Sequence, residues 1–169
     1  MPGVGKSTVG VLLAKAMSRS FMDTDVRIQS REGRPLQEML DAEGPARFCE
    51  VEERYVLSLQ CRACVIATGG SVVYSPAAMA HLKASGVVVH LDLPFASLEE
   101  RLADLGARGV VMASGQTLGG LFEERQPLYR QYADLTIKCE GLDHEQVVAR
   151  IAQALAAELT RPPTRSEDP

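Results

Sequence analysis

The chain has 169 residues, 46% of them hydrophobic and 24% charged, with a net charge of −4 at pH 7; these are values of one globular domain with a substantial core. The acidic balance excludes the basic face that nucleic-acid binding needs. No apolar run reaches membrane-spanning length and no signal-peptide pattern is visible, so we expect a cytoplasmic, monomeric domain whose partner is a small molecule, with no nucleic acid and no membrane. Four cysteines, at positions 49, 61, 64 and 139, are too few and too scattered for a disulfide scaffold. Cys61-Arg-Ala-Cys64 has redox or zinc spacing, yet no second ligand pair completes a zinc site. The pair also stands where a helix hands over to a strand, whereas a redox pair opens a helix, so all four read as reduced thiols.

Residues 1–8, Met-Pro-Gly-Val-Gly-Lys-Ser-Thr, are the back half of a phosphate-binding loop, Gly-x-x-x-x-Gly-Lys-Ser/Thr. The backbone N–H groups of Gly3, Val4, Gly5, Lys6, Ser7 and Thr8 suit an anion cradle at a helix start. Lys6 supplies a cation for the outer phosphates and Ser7 a hydroxyl ligand for magnesium. The following helix, 4–17, carries an apolar stripe of Val9, Leu12, Leu13, Ala16 and Met17. Such a loop joins a buried strand to a helix, and the opening glycine would stand one place before Met1. A late start site is the expectation, with about ten upstream residues ending in an apolar strand and a glycine.

Phe21-Met22-Asp23 ends a strand, and helices follow at 35–43 and 46–60. Ala63–Thr68 and Val87–Leu93 are β-rich and nearly continuous in apolar character, as strands buried on both faces require. A helix at 76–84 lies between them, another at 96–104 follows, and Leu135–Cys139 is a weaker fourth strand flanked by helices at 118–132 and 143–160. This alternation predicts an α/β fold with a parallel sheet covered on both faces. Residues 105–117, with three glycines and the isolated Arg108, read as a mobile lid able to close over a triphosphate, or as a plain surface loop. The domain spans 1–160, and the Pro-rich tail 161–169 reads as disordered.

In a parallel sheet the site lies beyond the carboxyl ends of the strands. Asp23-Thr24-Asp25 ends the second strand there, and an extended segment would point both carboxylates the same way, one for the metal and one for a hydroxyl proton. The next strand ends in Thr68-Gly69-Gly70-Ser71, where glycines let backbone N–H groups approach a ligand. Arg125-Gln-Pro-Leu-Tyr129 lies in a helix, with Arg125 a candidate for a substrate carboxylate.

The ordered set resembles the shikimate kinase family over essentially the whole chain: Gly-Lys-Ser-Thr, Phe-Met-Asp-Thr-Asp, Glu43-Gly44 with Phe48, Gly69-Gly70, a lid arginine and Arg-x-Pro-Leu-Tyr. The resemblance implies a three-layer P-loop kinase fold with strand order 2-3-1-4-5, its first strand absent from this sequence. It further implies transfer of the ATP γ-phosphoryl group to the 3-hydroxyl of shikimate with Mg2+, a step in aromatic amino-acid biosynthesis. By motif match it implies Lys6, Asp25 and Arg108 as catalytic residues, with Gly3–Thr8 and Arg108 on the nucleotide. Ser7 and Asp23 would hold the metal, and Gly69, Gly70, Asp25 and Arg125 the substrate.

Three departures stand out. The family's Gly-Glu-x-x-Phe-Arg-x-x-Glu is here Gly44-Pro-Ala-Arg-Phe48-Cys49-Glu-Val-Glu52, so an arginine clamp on the substrate carboxylate is Cys49. Arg47 points to another face and does not replace it. The third glycine of Gly-Gly-Gly is Ser71, and the lid's Arg-Pro is Arg108-Gly109. Glu52, three residues after Cys49, loses its arginine and is expected to meet water or a cation on the ligand. A hydroxy amino acid such as homoserine, with its ammonium on Glu52, is the alternative acceptor, and a non-catalytic nucleotide binder is the second alternative.

Overall fold

A computed structural model of the chain describes residues 1–105 and 115–159. The middle of the predicted lid, with Arg108, and the predicted disordered tail lie outside the described residues. Helix α1 (Lys6–Ala16) starts from Gly5, whose φ of 95° no other residue adopts comfortably. Val9, Gly10, Leu13 and Ala14 form its buried face, and Gly10 lets Phe21 pack closely on it.

Strand β1 (Ser20–Asp23) runs straight into α2 (Thr24–Glu32), a helix absent from the sequence expectation. Asp23 is its N-cap: Oδ1 accepts from the backbone N–H groups of Asp25 at 3.0 Å and Val26 at 3.2 Å, satisfying two otherwise orphaned donors. Asp25 therefore stands in the first helical turn, not on an extended segment beside Asp23. Next comes α3 (Leu36–Leu57), interrupted by non-helical Gly44 (φ 80°, ψ 167°) and Pro45, so the two helices expected there meet at a break. Phe48 and Val51 from beyond the break join Ile28, Leu36, Met39 and Leu40 in a small core of their own.

Strand β2 (Cys64–Ala67) leads to a 3₁₀ turn (Gly70–Tyr74) and α4 (Pro76–Ser85). Strand β3 (Val89–Asp92), α5 (Phe95–Leu105), α6 (Leu118–Tyr132), β4 (Leu135–Lys138) and α7 (His144–Leu159) complete the order. The main core gathers Val9 and Leu13 with Leu91, Leu93, Leu121, Ile137, Val147 and Ile151.

All strand pairing is parallel. β1 pairs with β2 in the register Ser20↔Cys64 to Asp23↔Ala67, and β3 with β4 in the register Val89↔Leu135 to Asp92↔Lys138. These are the outer pairs of the expected order 2-3-1-4-5. The described residues place no strand between them, so the sheet is two separate pairs. A cavity of about 430 Å³ lies there, lined from one side by Val65 and Ile66 and from the other by Val89 and His90.

Candidate active site

The parallel strands bring the loops after β1 and β2 to one end of the molecule, beside the loop that opens α1. Gly3 (φ 74°) and Gly5 (φ 95°) give that loop its left-handed turns, and Val4 anchors it in the core. The Lys6 ammonium donates to the Met1 carbonyl oxygen at 2.9 Å. Burial pushes the Lys6 ammonium below its usual pKa, and Asp25 opposes that shift most. The Ser7 hydroxyl donates to Asp23 Oδ2 at 2.6 Å. The two residues singled out as metal ligands are thus in contact, and a hydroxyl with a carboxylate is the hard oxygen donor set that suits Mg2+. One carboxylate does two jobs here, since Asp23 uses Oδ1 to cap α2 and presents Oδ2 to Ser7.

The loop after β2 packs against α2 and α3. Gly69 N–H donates to the buried Thr24 hydroxyl at 3.1 Å. A Cβ at Gly69 would collide with Glu52 Oε1 and lie 2.8 Å from Asp25 Oδ1, so glycine is needed for close approach rather than for its φ. Both carboxyl oxygens are buried without a hydrogen-bond partner among the described residues. Glu52 is 1% exposed, and its other oxygen accepts from the Ser71 hydroxyl at 2.6 Å. Burial pushes the Glu52 carboxyl up to about 7; the Asp25 charge adds to this, while Ser71, Arg125 and Lys6 oppose it. Burial, then the Asp23 charge, likewise raises Asp25 above the usual carboxylate range, against the pull of Lys6.

Burial favours the neutral acid at Glu52, and Ser71 takes one of its two oxygens. Two departures from the family pattern, Cys49 and Ser71, meet at this one side chain. Cys49 is half-buried, and its thiol is raised by burial and by the charge of Glu52 and lowered by that of Arg125.

Arg125 is 1% exposed. Its Nε donates to Tyr74 Oη at 3.0 Å, and its guanidinium lies over the Tyr74 ring, 5.0 Å from the centroid. Tyr129 Oη donates to the Gly70 carbonyl at 2.9 Å, and a Cβ on Gly70 would meet Arg125 Nη1 and Tyr129 Oη, each at 3.1 Å. Gly70 is thus packed onto the arginine. Lys6, Asp25, Glu52, Gly69, Gly70 and Arg125 converge, and Ser7 joins them through Asp23. Arg108 lies outside the described residues. Sequence reading missed Thr24, Tyr74 and Tyr129 as supports; Thr24 carried a signal as the middle of Asp23-Thr24-Asp25 and Tyr129 as the last residue of Arg-x-Pro-Leu-Tyr, whereas Tyr74 carried none.

Known proteins fit this arrangement. The family model described as shikimate kinase matches residues 2–156. A shikimate kinase from Synechococcus sp. (strain RCC307) is 39% identical over 166 residues, covering 96% of this chain and 84% of that protein. One from Halorhodospira halophila is 36% identical over 156 residues, covering 90% and 88%. Among solved structures, the shikimate kinase from Acinetobacter baumannii in complex with shikimate superposes with a TM-score of 0.84 at 29% identity, covering 94% of this chain and 90% of that one. The Aquifex aeolicus shikimate kinase gives 0.78 at 31% identity, with 95% of each covered. With its phosphate loop, parallel strand pairs and converging acidic and basic groups, the chain belongs to the shikimate kinase family.

Proposed function

We propose that the chain transfers the γ-phosphoryl group of ATP to a hydroxyl of shikimate, giving shikimate 3-phosphate. The observation that carries this reading is the meeting of Asp25, Glu52, Gly69 and Arg125 beside the phosphate loop. The loop residues Gly3–Thr8 bind the triphosphate, and Lys6 neutralises charge that develops on the transferred group. Ser7 and Asp23 hold Mg2+, which when bound draws charge from the phosphate oxygens. Asp25 accepts a hydrogen bond from the acceptor hydroxyl and takes its proton as the bond to phosphorus forms. Its pKa, raised by burial and by the Asp23 charge, makes it a better proton acceptor than an ordinary aspartate. Arg125, held by Tyr74, binds the carboxylate of the acceptor, and Arg108 supplies a cation to the phosphates.

Tyr74, Tyr129 and Thr24 act through these groups. Thr24 ties the β2 loop to α2, fixing Gly69 against Asp25; Tyr74 and Tyr129 fix Arg125 and Gly70. The homoserine reading ranks below shikimate. It needs Glu52 as an accessible carboxylate, whereas Oε1 is enclosed, Oε2 is taken by Ser71, and the neutral acid persists to about pH 7.

Incubation with ATP and Mg2+, with shikimate and homoserine offered side by side, tests the assignment. Phosphorus NMR and mass spectrometry should show one phosphoshikimate per ADP formed and little phosphohomoserine. ADP formation independent of shikimate would overturn it.

A further inference from the structure

Cys61 and Cys64 take no part in the site proposed above. The chain bends between them at Arg62 and Ala63, and Ala63 adopts φ 51°, a left-handed conformation that costs a non-glycine residue free energy unless its surroundings hold it. Ser20 holds it here. The Ala63 carbonyl accepts from Ser20 N–H at 3.1 Å and from Ser20 Oγ at 3.4 Å, which fastens the bend to the first residue of β1. The Ser20 hydroxyl lies 3.9 Å from Cys61 Sγ, and Ser20 stands opposite Cys64 in the β1–β2 register, so one residue neighbours both cysteines. Both cysteines are free and half-buried, and both line the cavity between the strand pairs. No cluster of three or more His, Cys, Asp or Glu side chains able to hold a metal occurs among the described residues, so the pair lacks the further ligands of a zinc site.

We propose that Cys61 and Cys64 form a redox modification site, which closes reversibly to an intrachain disulfide on meeting a low-molecular-weight disulfide oxidant. A disulfide needs Cα atoms roughly 4.4–6.8 Å apart, a separation within reach of residues three apart across a bend. Either thiolate can open the exchange. When Cys61 does, its thiolate bonds to one sulfur of the oxidant; the oxidant's sulfur–sulfur bond breaks, and the departing thiolate takes up the proton Cys61 released. Cys64, as thiolate, then attacks Cys61 Sγ of the mixed disulfide. The second thiolate of the oxidant leaves and takes up the proton from Cys64. Two protein thiols are oxidised to one disulfide, and the oxidant is reduced to two thiols.

The position explains what such a bond does. It sits at the amino ends of β1 and β2, where Ser20 pairs with Cys64, while Asp23 and the Gly69 loop stand at the carboxyl ends. Closure therefore tightens the bend that enters β2, at the end of the β1–β2 ladder opposite the phosphate loop.

The full chain in graded mixtures of reduced and oxidised glutathione tests this, with free-thiol counting, intact mass and peptide mapping. The wild type should lose two of its four thiols together, fall in mass by two hydrogens, retain no glutathione, and yield a Cys61–Cys64 cross-linked peptide. Reduction should restore the four thiols. Cys61→Ser and Cys64→Ser should each instead retain one glutathione on the remaining cysteine of the pair. Four thiols persisting in the most oxidising mixture, a stable glutathione adduct on the wild type, or a cross-link through Cys49 or Cys139 would overturn the proposal. The wild-type result stands without either variant.

Discussion

Glu52 offers the sharpest test of the electrostatics, because its carboxyl moves from an ordinary value of 4.5 to about 7 on folding. A raised folded pKa means that the native state binds the proton more tightly than the unfolded chain. The contribution to stability is therefore complete below about pH 4.5 and is lost as pH rises through about 7. A rise of roughly 2.5 units corresponds to about 3 kcal/mol, undiminished by solvent because the side chain is 1% exposed. Glu52→Gln keeps the shape, stays neutral at every pH, and can still accept from the Ser71 hydroxyl while its amide donates toward Asp25 Oδ1. Urea denaturation of both proteins from pH 4.5 to 8.5, extrapolated linearly to water, reads the difference. Wild type and variant should be close at the acid end, and the variant should gain on the wild type by about 3 kcal/mol by pH 8. A difference that stays constant across the range would refute the reasoning.

Cys49→Arg should add a second clamp on the acceptor carboxylate and lower the Michaelis constant for shikimate by roughly tenfold or more, as one charge-assisted hydrogen bond does; any homoserine activity should fall. Steady-state kinetics on both acceptors decide it, and no change on either would place position 49 off the pocket. Combining Cys49→Arg with Ser71→Gly should give a non-additive gain, because both act on Glu52; simple additivity would separate the two departures. Gly10→Ala should destabilise by about 1–3 kcal/mol, since its Cβ would stand 2.7 Å from Phe21 Cε2; an unchanged urea midpoint would contradict the packing of α1 on β1.

The elements that announced themselves in the sequence were those whose signal is local. The phosphate loop is a contiguous motif, β2 and β3 are apolar runs, and the Gly44-Pro45 pair marks the break in α3. Helix α2 gave no such signal: of its nine residues only Thr24 and Ile28 are buried and Val26 is exposed, so no apolar stripe exists to read. Its start signal, Asp23, was read as a ligand, and a carboxylate that both caps a helix and meets Ser7 shows only one of those roles in a linear motif. The site's supports were illegible for another reason. Ser71 reaches Glu52 across 19 positions, and Tyr74 reaches Arg125 across 51; such contacts exist only once α3, α6 and the 3₁₀ turn have packed. The enclosure that raises the Glu52 carboxyl is likewise a property of packing, and spacing alone left its partner open.

The central claim is that two halves meet here, a nucleotide half on the phosphate loop and an acceptor half around Asp25 and Arg125. Equilibrium titration of the full chain with a non-hydrolysable ATP analogue plus Mg2+, and separately with shikimate, tests it in wild type, Lys6→Ala, Asp25→Ala and Arg125→Lys. Lys6→Ala should lose nucleotide affinity and keep shikimate affinity. Arg125→Lys should do the reverse, weakening shikimate about tenfold or more through loss of the bidentate fork, and Asp25→Ala should leave nucleotide affinity nearly intact. Equal weakening of both ligands by any one of these changes would contradict the division of the site.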